Sequence, residues 1–293
     1  MAMRIMLSVL LFVPSLVAVA AETAGEAPQQ EETFTDLTPG TGMLDPANLA
    51  NLVERGDVRA MNNVGLLWAK GFDGKQSYTE ALRWWTEAAR RGYTVAMNNL
   101  GLAYANGHGV APDMEQAFDW WLKSAFAGNA WAMNAIGDCY ETGQGVGRDY
   151  VIAMTWYQTA ADAGDALAHY NVGALYEAGY GVEPDYAEAL VWYRDAARLG
   201  DAASMQAVAR FYTRGLGVEV DLVEAYAWHQ VAALRFKPQE VKDAELNEQQ
   251  AEAVSAMLSP VQLEQASERF RQLEVQTGPP EPEKPLEPGE TRT

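Results

Sequence analysis

Residues 168–200 read AHYNVGALYEAGYGVEPDYAEALVWYRDAARLG, and the same pattern recurs along the chain every 36 residues. The clearest mark of this period is a column of tryptophans at Trp84, Trp120, Trp156, Trp192 and Trp228. A fixed period of this length is typical of a chain built from stacked copies of one supersecondary unit. Such a chain is expected first to hold a partner, and only second to catalyse a reaction.

Each copy predicts a first helix, a glycine-rich turn and a second helix. Five copies align without insertion, beginning near Asp57, Tyr93, Asn129, Asp165 and Asp201. A glycine recurs inside the first helix of four copies, at Gly65, Gly101, Gly137 and Gly173. Because glycine inside a helix costs about 1 kcal/mol relative to alanine, its recurrence indicates that a neighbouring helix crosses there at contact distance.

The second helix of each copy carries a start signal. A predicted N-cap residue stands at Ser77, Asp113, Asp149, Asp185 and Asp221. Glutamate or glutamine follows three residues later in four copies, which is the capping-box pattern. The third copy breaks this pattern, because Ile152 stands at that position.

Helices are also predicted on both sides of the array, which occupies residues 57–236. Residues 45–56 begin with Asp-Pro and end at a glycine, as expected of a helix that caps the first repeat. Residues 237–277 predict two further capping helices. In the last of these, the spacing of one buried stripe is followed by Leu263, Ala266, Phe270 and Leu273.

The two ends of the chain do not show helical periodicity. Residues 1–20 combine a basic start, an apolar run and an Ala-Val-Ala motif, which predicts a secretory signal peptide and a periplasmic or secreted mature protein. Residues 21–44 are expected to form a disordered acidic linker. Residues 278–293 are rich in proline and glutamate and are expected to form a disordered tail.

Composition restricts the partner. The 293 residues include 21 basic and 40 acidic side chains, so the net charge is -19. That charge repels a nucleic-acid backbone or an anionic lipid surface. A neutral or basic protein or peptide fits better, and a glycan stays possible, although acidity can also serve solubility alone. The single cysteine, Cys139, can form no disulfide within the chain and is expected to be a small buried apolar residue.

The repeat resembles the Sel-1-like repeat (SLR), a relative of the tetratricopeptide repeat, and residues 168–200 match its pattern at every characteristic position. The resemblance implies an all-α fold, a right-handed α/α superhelical solenoid of five 36-residue helix-turn-helix repeats with helical caps. It further implies that the first helices line a concave groove. Proteins with this resemblance act as adaptors, scaffolds and regulators in bacterial envelopes.

If the tetratricopeptide geometry carries over, a ladder of mostly amide side chains faces this groove. Its candidate members are Asn62, Asn63, Asn98, Asn99, Asn134, Tyr170, Asn171 and Gln206. An asparagine amide can both donate to and accept from the backbone of an extended peptide. The alternative is that these amides belong to the packing of the repeat itself. Under the peptide hypothesis, substituting Asn63 and Asn99 by alanine weakens partner capture and leaves the melting temperature nearly unchanged.

Two adjacent aromatic columns run through the second helices. The tryptophan column is expected to pack between copies, and the residue after each tryptophan forms a second column that could stack on sugar rings. Its members are Trp85, Trp121, Tyr157, Tyr193 and His229. Adjacent helical residues point about 100° apart, so both columns cannot face the same neighbour.

No catalytic, metal or cofactor motif stands out in the sequence. The three histidines, His108, His169 and His229, lie in different copies without metal-ligand spacing. The prediction is therefore an exported, non-enzymatic protein–protein interaction scaffold or regulator of the bacterial cell envelope, with no cofactor. The alternatives are a carbohydrate- or peptidoglycan-associated module and an unrecognised cell-wall hydrolase.

Overall fold

The computed structural model describes residues 46–71, 74–236 and 240–278. Within these ranges the chain forms thirteen helices and no strand. The helices are α1 Pro46–Glu54, α2 Val58–Lys70, α3 Tyr78–Arg90, α4 Thr94–Asn106, α5 Met114–Phe126, α6 Ala130–Thr142, α7 Tyr150–Asp162, α8 Ala166–Ala178, α9 Tyr186–Arg198, α10 Ala202–Arg214, α11 Leu222–Arg235, α12 Val241–Ser255 and α13 Pro260–Gln276. The predicted signal peptide (1–20) and linker (21–44) lie outside the described residues, as does 279–293 of the predicted tail.

The chain divides into two compact units at Asp185. In the first unit α1 packs on α2, and each later helix packs on the one before it through to α8. In the second unit α9 packs on α10, α10 packs on α11, and both α12 and α13 pack on α11. Consecutive helices therefore pair as repeats, as the 36-residue period predicts.

Many of the helices begin at a residue whose side chain caps the first turn, although Tyr93 and Glu240 make no such bond. The side chains of Asp57 and Asp165 accept hydrogen bonds from the amides three residues later, at 2.8 Å in both cases, and Asp113 caps α5 in the same way at 3.0 Å. First helices end at glycines with a positive φ, for example 71° at Gly107. These caps satisfy amides and carbonyls that a helix end leaves without partners.

In the first three repeats the second aromatic column packs within the repeat. Trp85, Trp121 and Tyr157 are buried, and their rings lie against the glycine of the first helix in the same repeat. A Cβ added at Gly101 would lie 2.5 Å from Cδ1 of Trp121, where nothing larger than hydrogen fits. The close contact that the glycine column predicts is therefore real, and its partner is an aromatic ring.

The second column is more deeply buried than the first, whose packing between copies stays a prediction. The first column is half-buried at Trp84, Trp120, Trp156 and Trp192, and is buried only at Trp228. The whole second column is buried, so it cannot stack on sugar rings. The reason is geometric. Because the rings of the second column lie against the glycines, the tryptophans of the first column, about 100° away around the same helix, point to the side of the repeat.

The fifth repeat differs at both members of the ring–glycine contact. Ala209 takes the place of the glycine, and His229 takes the place of the larger ring; both are buried. His229 Nδ1 lies 2.9 Å from Oδ1 of Asn247 in α12, and Nδ2 of Asn247 donates to the Asp243 carbonyl oxygen. Since the Asn247 oxygen can only accept, His229 donates from Nδ1, and burial lowers its pKa.

The last two helices cover α11 through specific polar contacts. Nε of Arg269 in α13 donates to Glu224 at 2.6 Å, and Trp228 Nε1 donates to the same carboxylate at 3.1 Å. The predicted buried stripe of α13 holds at Ala266 and Leu273. It is wrong at Leu263, which is 36% exposed because the first turn of α13 extends past the surface it packs on.

Filling the glycine notch tests whether the ring contact sets the helix spacing. Gly101→Ala should lower the free energy of unfolding by about 1–3 kcal/mol, because a methyl group would collide with the Trp121 ring. Urea denaturation followed by circular dichroism measures the change. Gly147→Ala is the control, since a Cβ there meets no atom within 4 Å. Equal stability of the two variants would contradict the assigned role.

Candidate functional site

The structure places most of the predicted groove residues inside the protein. All six asparagines of the set are buried, at Asn62, Asn63, Asn98, Asn99, Asn134 and Asn171. Tyr170 and Gln206 are half-buried. The expectation that the asparagine amides face an open groove is therefore wrong, although peptide binding by the set as a whole stays a prediction.

The buried amides join neighbouring repeats. Nδ2 of Asn99 donates to Oδ1 of Asn62 at 2.9 Å, across a separation of one repeat plus one residue. Asn171 donates to Asn134 in the same way, also at 2.9 Å. These bonds form the rungs of an asparagine ladder that runs between first helices. The alternative reading of these residues, that they serve the packing of the repeat, fits this geometry.

The aromatic column contacts the same part of each first helix. The indole nitrogen of Trp85 donates to the backbone oxygen of Asn62 at 3.3 Å, and Trp121 donates to the backbone oxygen of Asn98 at 3.4 Å. These carbonyls already accept within the helix, so the indole uses their second lone pair. Ring, glycine and asparagine thus form one interlocked unit in each of these repeats.

The rung between the second and third repeats is missing, and the sequence explains why. In the third repeat Ala135 stands where Asn63, Asn99 and Asn171 stand in other repeats. Oδ1 of Asn98, in the repeat before it, is buried and has no hydrogen-bond partner within the described structure. The Asn98 amide nitrogen instead donates to Asn129, the N-cap of α6, at 3.1 Å.

The ladder can be tested by removing one rung and adding another. Asn99→Ala should cost about 1–3 kcal/mol of unfolding free energy, because Asn62 Oδ1 is left buried without a donor. Ala135→Asn should stabilise the protein by about 1 kcal/mol, because it supplies a donor to Asn98. Denaturation midpoints measure both. Unchanged stability of Asn99→Ala, together with weaker partner capture, would restore the peptide-binding hypothesis.

A buried acidic cluster in the third repeat escaped prediction from the sequence. The hydroxyl oxygen of Tyr157 lies 2.6 Å from Oδ1 of Asp138 and 2.6 Å from Oε2 of Glu141, and all three residues are buried. Nδ2 of Asn134 lies 3.5 Å from the other oxygen of Asp138, which connects the cluster to the asparagine ladder. The sequence did contain a signal for this cluster. Asp138 and Glu141 stand at the repeat positions that Leu66 and Ala69 occupy in the first repeat, where apolar residues are buried.

Counting protons shows that this cluster holds an extra one. A tyrosine hydroxyl has one hydrogen and can donate it to only one carboxylate. The second contact of 2.6 Å therefore needs a proton on the other carboxyl group. The contacts are satisfied when Asp138 carries this proton and donates it to Tyr157, which in turn donates to Glu141.

Electrostatics favour the same assignment. Burial raises the pKa of Asp138 well above its usual range, and the charges of Glu141 and Asp165 raise it further, although its hydrogen bond with Tyr157 acts in the opposite direction. Burial also raises the pKa of Tyr157. Asp138 is therefore neutral under conditions in which an exposed aspartate is ionised.

The neutral carboxyl group predicts an unusual dependence of stability on pH. The pKa of Asp138 is higher in the folded protein than in the unfolded chain. Asp138 therefore contributes fully to the free energy of unfolding below pH 3.8, and this contribution is lost as the pH rises towards the folded pKa. Asp138→Asn mimics the neutral form. The free energy of unfolding of the variant, relative to that of wild type, should rise by on the order of 1 kcal/mol per pH unit across this window.

Urea denaturation at a series of pH values from acid to mildly alkaline measures this difference. Asp119→Asn is the matched control, because Asp119 is exposed on α5. The same series with Asp119→Asn measures how far the removal of one exposed carboxylate changes the stability. Parallel curves for wild type and Asp138→Asn would show that Asp138 is ionised in the folded protein.

Other reactive side chains in the described part of the chain form no site. Cys139 is buried as predicted, and burial raises the pKa of its thiol to about 12, which leaves it unreactive at neutral pH. No group of three metal-binding side chains lies close together in residues 46–71, 74–236 and 240–278. None of the helices there has the length and apolar character that a membrane crossing requires.

Comparison with known families agrees with this geometry. The family model described as Sel1 repeat matches five consecutive segments, 58–93, 94–129, 132–165, 166–201 and 202–235. The chain belongs to the Sel1 repeat family. Its segments begin one to three residues after the predicted repeat boundaries, so the resemblance inferred from the sequence is confirmed.

Solved structures of Sel1 repeat proteins are similar to this fold. A protective antigen with an SLR fold from uropathogenic Escherichia coli strains is 27% identical, with a TM-score of 0.68, over 84% of this chain and 53% of that one. A Sel1 repeat protein from Oxalobacter formigenes is 30% identical, with a TM-score of 0.61, over 67% of this chain and 81% of that one. The chain thus spans about half the length of the E. coli antigen. No curated protein matches the chain.

Membership of the family carries a general functional meaning. Sel1 repeats typically mediate protein–protein interaction, and proteins of this family are generally non-enzymatic scaffolds. The array described above is therefore a protein-binding fold. Its asparagine ladder and its buried acidic cluster lie inside the array.

Proposed function

We propose that this protein is an exported, non-enzymatic scaffold or regulator of the bacterial cell envelope that binds a partner protein or peptide. The observation that carries the proposal is the run of five Sel1 repeats, which occupies most of the described chain. The pattern of residues 1–20 supports export. The excess of acidic residues supports a neutral or basic partner.

The packing of the repeats narrows where such a partner can bind. The asparagine amides already bond to one another, so the first helices offer Tyr170 and Gln206 as the remaining half-buried members of the predicted groove. Burial of the second aromatic column removes the rings that the carbohydrate alternative required. A protein partner is therefore the better-supported ligand class.

Crosslinking in the native envelope tests the proposal. The full-length chain, expressed in its own cells with a C-terminal tag, is crosslinked, purified under denaturing conditions and analysed by mass spectrometry. The expected result is a specific protein adduct and a mature N-terminus at or just after residue 21. An uncleaved chain confined to the cytoplasm would refute export, and adducts with glycan alone would refute a protein partner.

A control separates specific capture from the general stickiness of an acidic protein. The same experiment with a Leu100→Pro and Ile136→Pro double variant, in which proline breaks two buried first helices, should lose the adduct. An adduct that survives loss of the fold would count against binding by the repeat array.

A further inference from the structure

The second and third repeats carry large apolar side chains that are exposed on α5 and α7. Phe126 at the end of α5 is 77% exposed, and Val151 and Ile152 at the start of α7 are 61% and 38% exposed. The ring of Phe126 meets that of half-buried Trp156 edge to face, with centroids 6.0 Å apart. Ile152 lies one turn before Trp156 on the same face of α7.

Three of these residues, Phe126, Ile152 and Trp156, form a continuous surface that we name the Phe126 patch. Its contiguity follows from the ring contact between α5 and α7 and from the helical spacing within α7. A contiguous apolar surface on a soluble protein marks an interaction site more often than scattered exposed residues do.

The Phe126 patch includes Ile152 because the third repeat departs from the other four at this position. The register of Ile152 carries Glu80, Gln116, Glu188 and Glu224 in the other four repeats. In α9 and α11 this glutamate accepts a hydrogen bond from the tryptophan one turn later, at 3.2 and 3.1 Å. In the third repeat Ile152 cannot accept this hydrogen bond, and an apolar side chain is exposed at the position of the glutamate. The register of Phe126 is occupied by Arg90 and Arg198 in the first and fourth repeats.

The charge of this part of the array indicates which kind of ligand the Phe126 patch binds. Residues 93–185 contain eleven acidic and only two basic residues, Lys123 and Arg148. Lys123 lies over the ring of Trp120, at 4.1 Å from its centroid, and Arg148 lies 5.7 Å from the ring of Tyr150. Two of the eleven acidic residues, Asp138 and Glu141, are buried, which leaves nine acidic side chains against two basic ones in this part of the array. An apolar surface in an acidic part of the array attracts a ligand with one apolar face and basic flanks, and it repels anionic membranes.

We propose that the Phe126 patch is a docking surface for a basic amphipathic helix of the partner protein. The proposal deepens the proposed function, because it names the chemistry of the partner and the face that binds it. The apolar side of such a helix covers Phe126 and Ile152, as in other helix-binding surfaces. Its lysines and arginines face the surrounding carboxylates.

A labelled synthetic helix of leucine and lysine, with its apolar residues on one face, is the probe. Fluorescence anisotropy measures its binding to the full chain. Phe126→Ser and Ile152→Glu should each weaken binding by about tenfold or more. Ile152→Glu should keep its stability, because glutamate at this register bonds to the tryptophan in two other repeats. Val191→Glu is the matched control, since Val191 is exposed on α9, outside the acidic stretch, and should leave binding unchanged.

Each other outcome overturns the proposal. Equal binding of a scrambled leucine–lysine peptide would show attraction by charge alone, and equal binding of a leucine–glutamate helix would remove the charge argument. Binding of anionic vesicles in place of the peptide would assign the patch to membranes. Self-association of the wild type that Ile152→Glu abolishes would assign it to a second copy of this chain.

The crosslinking experiment in the envelope separates this proposal from the broader one. If wild type and Ile152→Glu capture the same protein equally, the Phe126 patch is not the docking surface, and the proposed function stands. If the wild type captures no protein, the proposed function itself fails. Loss of capture by Ile152→Glu but not by Val191→Glu supports both.

Discussion

The contact between an aromatic ring and a glycine determines the geometry of the first three repeats. In each of them a ring of the second helix occupies the space that a Cβ of the first helix would fill. This allows the two helices to approach closely and, in the first two repeats, brings the indole N–H within reach of a backbone oxygen. Trp121 also meets Trp131 of the following repeat edge to face, at 6.1 Å, so the contact that builds one repeat helps to position the next.

The placement of the polar residues follows from this contact. Once the rings lie on the glycines, the asparagines beside them are enclosed between neighbouring first helices, where an amide without a partner is costly. Asn62 and Asn99 satisfy each other across the repeat boundary. A hydrogen-bonded ladder inside an otherwise apolar array also favours one register between repeats, because a shift by one residue would break its rungs.

Much of the fold could be predicted from the sequence, because its signals are local. The period, the Asp and Ser N-caps and the turn glycines act through the backbone of a few residues, and they place the helices correctly. Which of two adjacent aromatic columns turns inward depends on a contact between helices, and both columns look alike in sequence. The fifth repeat did hold a clue. There the glycine is replaced by the larger Ala209 and the aromatic ring of the second column by the smaller ring of His229, which indicates that these two positions are in contact. The burial of Asp138 was hidden for the same reason, since its environment comes from Tyr157 on another helix.

Regularity makes the exceptions in this chain informative. Stability in a repeat array is approximately a sum over similar units and their interfaces. The third repeat departs from its neighbours at three registers: it lacks the ladder asparagine at Ala135, buries the carboxyl group of Asp138 and exposes Ile152. Packing within the array does not require the last two changes, because the other repeats fold without them, whereas the fifth repeat shares the first change through Ala207. Local rules are broken most often where a protein is shaped for something besides its own stability, and here that place is the part of the array that also carries the Phe126 patch.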